Sequence, residues 1–204
     1  MEKYEAIIFD LGGVILNIDY HLTRAAFEVI GVKNFHEMYS QADANDLFKN
    51  LETGKISEDS FYTALISSTG IDLPTEKIQY AWNAMLLNFR EKSLLFLKEL
   101  KPKYKLFLLS NTNHIHLKEF RKIYLEAERA QPFEALFDKV YYSCEIALRK
   151  PDAECYQLVL AENKLEPGRT LFVDDSAQNV EAARILGMQT ILLPPNKNIE
   201  DLFL

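Results

Sequence analysis

The chain has 204 residues, 48% of them hydrophobic, which is enough for one domain, with or without an insertion, and for a sizeable core. The formal net charge of −7 argues against a nucleic-acid partner, because nucleic-acid-binding proteins present basic surfaces. We expect no signal peptide, no membrane span and no disulfide scaffold, and we interpret the two cysteines as reduced thiols of a cytoplasmic protein.

A short apolar run near the start of the chain ends in a carboxylate followed by two glycines. Residues 6–9 favour a strand buried on both faces, as in a parallel sheet, and Asp10 then lies at its carboxyl end. Ligands of open α/β sheets bind at that end. Gly12 and Gly13 allow a sharp turn and a close approach of the backbone to whatever Asp10 contacts. The alternative is an ordinary aspartate in a tight turn.

From Leu16 to about residue 90 the pattern predicts helices alone. The predicted helices are Tyr20–Ile30, a longer one capped by Asn34 and running toward Leu51, one capped by Ser57, and Thr75–Asn88. Four consecutive helices that interrupt an α/β chain indicate an inserted helical module. We therefore expect this module over residues 17–88 and a main domain formed by residues 1–16 and 89–204.

Apolar strands alternate with helices through the rest of the chain. The predicted strands are 106–109, 140–142, 171–173 and 190–193, and the predicted helices are 93–101, 114–128, 153–163 and 177–186. This alternation predicts an α/β fold whose parallel sheet is covered by helices on both faces.

Polar side chains stand where three of these strands end. Asp10, Ser110 and the pair Asp174 and Asp175 each follow or close an apolar run, and Lys150 precedes a proline in a fourth segment. Because the carboxyl ends of parallel strands share one edge of the sheet, we expect three carboxylates, a hydroxyl and an ammonium group to converge there.

Such a cluster of carboxylates indicates a bound divalent cation. Three adjacent carboxylates repel one another, and ligands that are all oxygen suit Mg²⁺. Lys150 and Ser110 would then neutralise and hydrogen-bond the phosphoryl oxygens of a substrate. Asp10 becomes a candidate nucleophile that forms an aspartyl-phosphate.

Each of these residues alone has an ordinary explanation. Asp174 or Asp175 is a candidate helix cap, Ser110 a turn residue and Lys150 a solvated surface lysine. Four such features in this order favour a functional site over coincidence.

The histidine pair and the tryptophan of the chain are weak indications of a metal or ligand site. His114 and His116 form a weak metal signal, because residues two apart do not share a helix face. Trp82 is more typical of a helical core than of a platform for a ligand.

The four segments resemble, in order, the four motifs of the haloacid dehalogenase-like (HAD) hydrolase superfamily, over nearly the whole chain. The matching segments are Phe9 to Val14, Leu109 to Asn111, Lys150-Pro151, and Val173 to Asp175. The chain is most similar to the glucose-1-phosphatase group and to the phosphatase domain attached to epoxide hydrolases. The resemblance implies a Rossmann-like core, with the helical module as the small helical cap of the family.

The resemblance also implies a role for each site residue. The implied nucleophile is Asp10, and Mg²⁺ is held by Asp10, the Gly12 carbonyl and the pair Asp174 and Asp175. Together with the strand-end argument, this gives Asp10, Ser110 and Lys150 as the expected catalytic residues. The residues expected to contact phosphate or substrate are Asn111, Gly12 and, from its place in the sequence close to the site, Asp19.

The chain departs from the family pattern at Gly12. Phosphatases of the family usually carry a second aspartate there, which acts as general acid and base. The backbone carbonyl of Gly12 remains available to the metal, but the protonation of the leaving group loses its usual donor. Asp19 is the candidate replacement, and the alternative is that Asp19 caps the helix Tyr20–Ile30.

We therefore expect a Mg²⁺-dependent phosphomonoesterase that acts on a small phosphorylated metabolite such as a sugar phosphate. The first alternative is a 2-haloacid dehalogenase in which Asp10 attacks carbon, although the acidic pair favours phosphate chemistry. The second alternative is a catalytically silent protein that keeps a phosphate pocket. The sequence predicts neither the identity of the substrate nor the oligomeric state.

Overall fold

The computed structural model describes residues 4–33, 35–39, 45–127 and 129–202. Its strands are β1 (Ala6–Phe9), β2 (Leu16–Ile18), β3 (Leu86–Phe89), β4 (Lys105–Ser110), β5 (Lys139–Tyr142), β6 (Thr170–Asp174) and β7 (Gln189–Leu192). Five of them form a parallel sheet in the order β5-β4-β1-β6-β7, as the alternating pattern predicted, and β2 pairs with β3 in a separate antiparallel ribbon. Because β1 is central, Asp10 lies in the middle of the carboxyl edge.

The helices fall into two groups along the chain. The first group is α1 (Tyr20–Val29), α2 (Phe35–Met38), α3 (Asp46–Glu52), α4 (Glu58–Thr69) and α5 (Thr75–Asn83). The second group is α6 (Glu91–Leu100), α7 (His114–Glu126), α8 (Ser143–Ile146), α9 (Ala153–Asn163) and α10 (Ala177–Ile185). Within the described residues, no helix combines the length and the apolar character needed to cross a membrane.

The helices of the second group cover both faces of the sheet. Side chains alternate across a strand, so Ile7 and Phe9 of β1 join an apolar cluster with residues of α6 and α7. Ala6 and Ile8 face the other way, into a cluster with residues of α9 and α10. A strand buried on both faces needs this continuous apolar run, which is the signal by which β1 was predicted.

The helices of the first group enclose an apolar cluster of their own. It contains Phe27, Phe35, Phe48, Phe61 and Trp82, and the Trp82 side chain is fully buried. Trp82 is therefore a core residue of the helical module, as expected. The exact limits of that module, residues 17 and 88, remain a prediction.

The ribbon formed by β2 and β3 corrects the prediction of helices alone between Leu16 and residue 90. Strand β2 has three residues, too few to show a period, and its partner β3 lies far away in the sequence. The predicted helix Thr75–Asn88 accordingly ends at Asn83, and the chain passes into β3.

The segment before α4 also differs from the prediction. Asn34, the predicted cap of one long helix, lies outside the described residues. In the described part the segment holds the short helices α2 and α3, and the side chain of Asn45 caps α3 by accepting hydrogen bonds from the amides of Leu47 and Phe48. Helix α7 ends at Glu126, and Glu128, the predicted end of that helix, lies outside the described residues.

Candidate active site

Three neighbouring strands carry polar side chains to one edge of the sheet. Asp10 follows β1, Ser110 is the last residue of β4, and Asp174 is the last residue of β6. All three side chains are buried, and the amide of Asp10 donates to the carbonyl of Val173 over 2.9 Å. The structure therefore brings together the residues that the strand-end argument selected.

Lys150 holds two of the carboxylates together. Its Nζ lies 2.6 Å from Asp10 Oδ1 and 2.6 Å from Asp174 Oδ2, and only 1% of the residue is exposed. Burial alone would lower the pKa of Lys150, but the two carboxylates outweigh burial and raise it, so the ammonium group stays charged. A buried, doubly paired ammonium group excludes the alternative of a solvated surface lysine.

Asp174 has its carboxylate oxygens occupied by protein donors. Besides Lys150, the amide of Ser176 donates to Oδ1 over 2.8 Å, and Asn179 Nδ2 lies 3.1 Å from each oxygen. No part of Asp174 is exposed. Asn179 was not predicted as a site residue, because an asparagine within a helix carries no distinctive spacing.

Asp175 lies at the surface of the cleft in front of Asp174 and is partly exposed. Oxygen atoms of Asp10, Asp174 and Asp175 all lie within 4.8 Å of one another. Gly13, with φ of 71°, approaches this group so closely that a Cβ atom there would stand 2.2 Å from Asp175 Oδ2. Because Gly13 has no Cβ atom, the Asp175 side chain can occupy this position.

The pKa of Asp10 reflects its burial and the repulsion from the neighbouring carboxylates. Burial raises the pKa of Asp10 most; Lys150 lowers it, Asp174 and Asp175 raise it, and the result is about 7. A nearby cation would favour the ionised form. Because every donor in the cluster is oxygen and the carboxylates lie within reach of one ion, the residues fit Mg²⁺.

Asn111 lines the cleft and also fastens a neighbouring segment, and its predicted contact with substrate stays a prediction. Its Nδ2 donates to the carbonyl of Lys150 over 2.8 Å, and its Oδ1 accepts from the amide of Lys150 over 2.8 Å. This pair of hydrogen bonds fastens the Lys150 segment to the end of β4. Asn111 therefore positions Lys150, and its side-chain amide is already engaged on both sides.

Gly12 lies in the cleft beside the side chain of Ile18. A Cβ atom on Gly12 would stand 2.4 Å from Ile18 Cδ1, the end of a flexible side chain. Ile18 also lines the cleft. An acid at position 12 would therefore require the end of the Ile18 side chain to move.

Asp19 caps a helix, and its predicted contact with substrate stays a prediction. Its Oδ1 accepts a hydrogen bond from the amide of His21 over 2.9 Å, which makes it the N-cap of α1. Asp19 is absent from the described residues that line the cleft. The alternative interpretation, a capping aspartate, is confirmed.

Replacing Asp19 with alanine should cost about 1 kcal/mol of stability and leave the activity nearly unchanged, because the variant loses only the cap. Urea unfolding and initial rates measure the two effects. The matched control is Asp19→Asn, which keeps an accepting oxygen and should unfold like the wild type. A large loss of activity in Asp19→Asn would return Asp19 to the list of proton donors.

One wall of the cleft, formed by Tyr39, Glu52, His116 and Arg149, contains charged and aromatic side chains that were not predicted. Arg149 Nη2 lies 2.9 Å from Glu52 Oε2, which joins α3 to the segment that carries Lys150. Tyr39 donates its hydroxyl hydrogen to Glu52 Oε1 over 3.1 Å. Burial raises the pKa of Glu52, whereas Arg149 and Tyr39 oppose that shift. The sole sequence signal for this wall was that Arg149 adjoins Lys150.

His116 completes this wall and is electrically neutral. Its ring stacks on Trp82 with centroids 4.5 Å apart, and its Nδ1 lies 2.9 Å from Asn83 Oδ1. Because a carbonyl oxygen only accepts, the imidazole hydrogen stands on Nδ1. Burial lowers the pKa of His116 to about 3. His114 is exposed, so the two histidines do not share a face, as expected.

The buried His116 should make stability depend on pH. Below its ordinary pKa of 6.5 the unfolded chain takes up a proton that the folded chain does not, so stability present above pH 6.5 is lost as the pH falls toward 3. Between pH 7 and pH 5 the wild type should lose about 2 kcal/mol more than His116→Phe. Urea unfolding at both pH values tests this, and parallel pH dependence of the two proteins would contradict it.

Comparisons with known proteins agree with this geometry. A family model described as haloacid dehalogenase-like hydrolase matches residues 4–187. The chain is 30% identical over 184 residues to the D-ribitol-5-phosphate phosphatase of Bacteroides thetaiotaomicron, and the match covers 90% of this chain and 89% of that protein.

Solved structures show the same relationship. A mutant HAD family enzyme from Bacteroides thetaiotaomicron, in complex with magnesium and inorganic phosphate, has a TM-score of 0.93 at 30% identity and covers 98% of this chain and 99% of its own. A HAD-like family hydrolase from Porphyromonas gingivalis has a TM-score of 0.89 at 32% identity, over 98% of this chain and 97% of its own. An L-2-haloacid dehalogenase, at 18% identity and a TM-score of 0.58, shares the fold alone.

Proposed function

The chain belongs to the haloacid dehalogenase-like hydrolases, and from that membership we propose that it is a Mg²⁺-dependent phosphatase of small phosphorylated metabolites, with sugar or polyol phosphates as the substrate class. The observation that carries the proposal is the cluster in which Lys150 joins Asp10 and Asp174 beside Asp175. The 30% identical relative is named as a phosphatase of a polyol phosphate, which supports this class.

The residues that would hold Mg²⁺ are Asp10, the Gly12 carbonyl and Asp175. Asp174 lies behind them, with its oxygens engaged by Lys150 and Asn179. When bound, the ion supplies positive charge that offsets the carboxylates and the phosphoryl oxygens. In this arrangement Asp175 is the direct ligand of the acidic pair and Asp174 positions Lys150.

Replacing Asp175 with asparagine should weaken Mg²⁺ binding by at least tenfold, because an anionic oxygen ligand is lost. The double variant with Asp174→Asn should bind more weakly still, and its metal-free form should be no less stable, since carboxylate repulsion falls. Titration calorimetry with MgCl₂ measures the affinities. Unchanged affinity in the double variant would place the metal elsewhere.

The proposed reaction has two displacements at phosphorus. In the first, an Asp10 carboxylate oxygen forms a bond to phosphorus while the bond from phosphorus to the leaving oxygen breaks, and that oxygen acquires a proton. Ser110 and Lys150 contact the phosphoryl oxygens. In the second, a water oxygen forms a bond to phosphorus while the bond from phosphorus to the Asp10 oxygen breaks, which restores the Asp10 carboxylate and releases inorganic phosphate that carries the hydrogens of the water.

The absence of a side chain at Gly12 has a consequence for the leaving group. A positioned general acid is worth roughly 10²–10⁴-fold for a poor leaving group such as an alkoxide. Because Gly12 has no side chain, no group at position 12 supplies that proton. We therefore expect aryl phosphates, which leave without protonation, to react faster than simple alkyl phosphates.

A screen of phosphorylated metabolites with p-nitrophenyl phosphate, with MgCl₂ or with EDTA, tests the proposed function. Release of phosphate that stops with EDTA supports it. Release of halide from 2-haloacids, unaffected by EDTA, would support the dehalogenase instead. A rise in melting temperature with Mg²⁺ and a phosphate analogue, with no turnover of any compound, would support a silent binding protein.

We also propose a cytoplasmic location and no nucleic-acid partner. Cys144 and Cys155 are both free and buried, and burial raises the pKa of each thiol to about 12. Unpaired thiols are typical of a reducing compartment. The formal net charge of −7 supports the absence of a nucleic-acid partner.

A further inference from the structure

Three polar atoms in this wall of the cleft have no hydrogen-bond partner within the described part of the chain. They are His116 Nε2, Glu52 Oε2 and Arg149 Nε. His116 is 6% exposed and Glu52 is 4% exposed, and all three residues line the same cleft. Buried polar groups of native proteins are nearly always paired. Three other unpaired atoms of the described residues, in Trp82, Asn113 and Glu200, lie away from the cleft, whereas these three belong to residues around one cleft, where a ligand can pair them.

The chemistry of each atom is set by its other contacts. His116 Nε2 is an acceptor, because the imidazole hydrogen stands on Nδ1 toward Asn83. Glu52 Oε2 is an acceptor whose twin oxygen accepts from Tyr39. It forms an ion pair with Arg149 Nη2 at 2.9 Å, so a ligand that donates to it would do so beside a cation that already offsets its charge. Arg149 Nε is a donor.

We propose that His116, Glu52 and Arg149 form a subsite for neighbouring hydroxyl groups of the leaving group, so that the enzyme selects short polyol or sugar phosphates. This inference rests on the proposed phosphatase function. A hydroxyl group both donates and accepts, so a chain of hydroxyls satisfies two acceptors and one donor together.

The size and lining of the cleft suit such a substrate. Its volume is ≈ 120 Å³, below the roughly 300–1,000 Å³ of pockets that hold drug-sized ligands. Ile18, Met85 and Leu86 line the cleft as well and offer apolar contact to the carbon chain. A site that hydrogen-bonds a substrate hydroxyl rejects the analogue that lacks it, because its own polar groups then stay unpaired.

The test compares D-ribitol 5-phosphate, n-pentyl phosphate and p-nitrophenyl phosphate as substrates of the wild type and of His116→Phe. Phenylalanine keeps a ring against Trp82 and removes the acceptor. The wild type should prefer ribitol 5-phosphate over pentyl phosphate by at least about 100-fold in kcat/KM. In His116→Phe this preference should shrink by at least tenfold, because kcat/KM for ribitol 5-phosphate falls by a larger factor than kcat/KM for pentyl phosphate or p-nitrophenyl phosphate.

The matched control is His114→Phe, which changes an exposed histidine of the same helix and should leave all three rates unchanged. His116→Gln, which keeps an accepting atom, should restore part of the preference and serves if the phenylalanine variant does not fold. Equal losses of kcat/KM on all three substrates in His116→Phe would mean that His116 has only a structural role. No loss would mean that His116 does not contact the substrate. Either result overturns the subsite. If the wild type hydrolyses p-nitrophenyl phosphate but has the same kcat/KM for ribitol 5-phosphate and pentyl phosphate, the subsite alone is overturned. If it hydrolyses none of the compounds, the proposed function is overturned as well.

Discussion

Replacing Asp10 with asparagine should lower phosphate release by roughly 10⁴-fold or more, as expected when a nucleophile is removed, while the protein stays folded. The amide has nearly the same shape but does not attack phosphorus, and it withdraws one charge from the metal site. Lys150 keeps its contact with Asp174, and the variant loses a carboxyl group whose pKa burial raises to about 7. The melting temperature without Mg²⁺ should therefore not fall.

Initial rates of phosphate release and thermal unfolding followed by circular dichroism measure the two effects. The matched control is Asp152→Asn, because Asp152 is exposed and its side chain makes no capping hydrogen bond. That control should keep wild-type activity. Substantial activity in Asp10→Asn would rule out the aspartyl-phosphate route, since no other group in the proposal attacks phosphorus.

Replacing Lys150 with methionine should destabilise the protein in EDTA by about 3–5 kcal/mol, the usual cost of removing one partner of a buried ion pair. The variant leaves Asp10 and Asp174 buried beside Asp175 with no ammonium group between them. Added Mg²⁺ should recover much of the lost stability, because it offsets the same repulsion. Phosphate release should stay very low, since the phosphoryl oxygens lose their cation.

Urea unfolding in EDTA and in excess MgCl₂ measures this dependence. The control is Lys118→Met, which removes an exposed lysine paired with Glu58 and should cost no more than about 1 kcal/mol in either condition. A Lys150→Met protein as stable as the wild type in EDTA would show that the ammonium group does not offset the carboxylates. Destabilisation that Mg²⁺ does not relieve would place the metal away from this cluster.

The local sequence pattern and one rule of sheet topology were enough to predict which residues meet at the carboxyl edge of the sheet. Apolar runs long enough for buried strands end in Asp10, Ser110 and Asp174, and the ends of parallel strands meet at one edge. Proximity there follows from strand geometry, so it could be predicted without knowing how any helix packs. The same reasoning could not tell whether Asp174 or Asp175 contacts Lys150, because adjacent residues of a strand differ only in the direction of their side chains.

The wall formed by Glu52, Arg149, Tyr39 and His116 was decided by the tertiary structure alone. Glu52 meets Arg149, and Asn83 meets His116, because the helices of the first group pack on α7 and on the segment that carries Lys150. No spacing along the chain encodes such meetings between distant segments. The sequence by itself thus determined which polar groups meet at the strand ends, whereas the groups that we propose to select the substrate became visible only once the helical module was packed on the sheet.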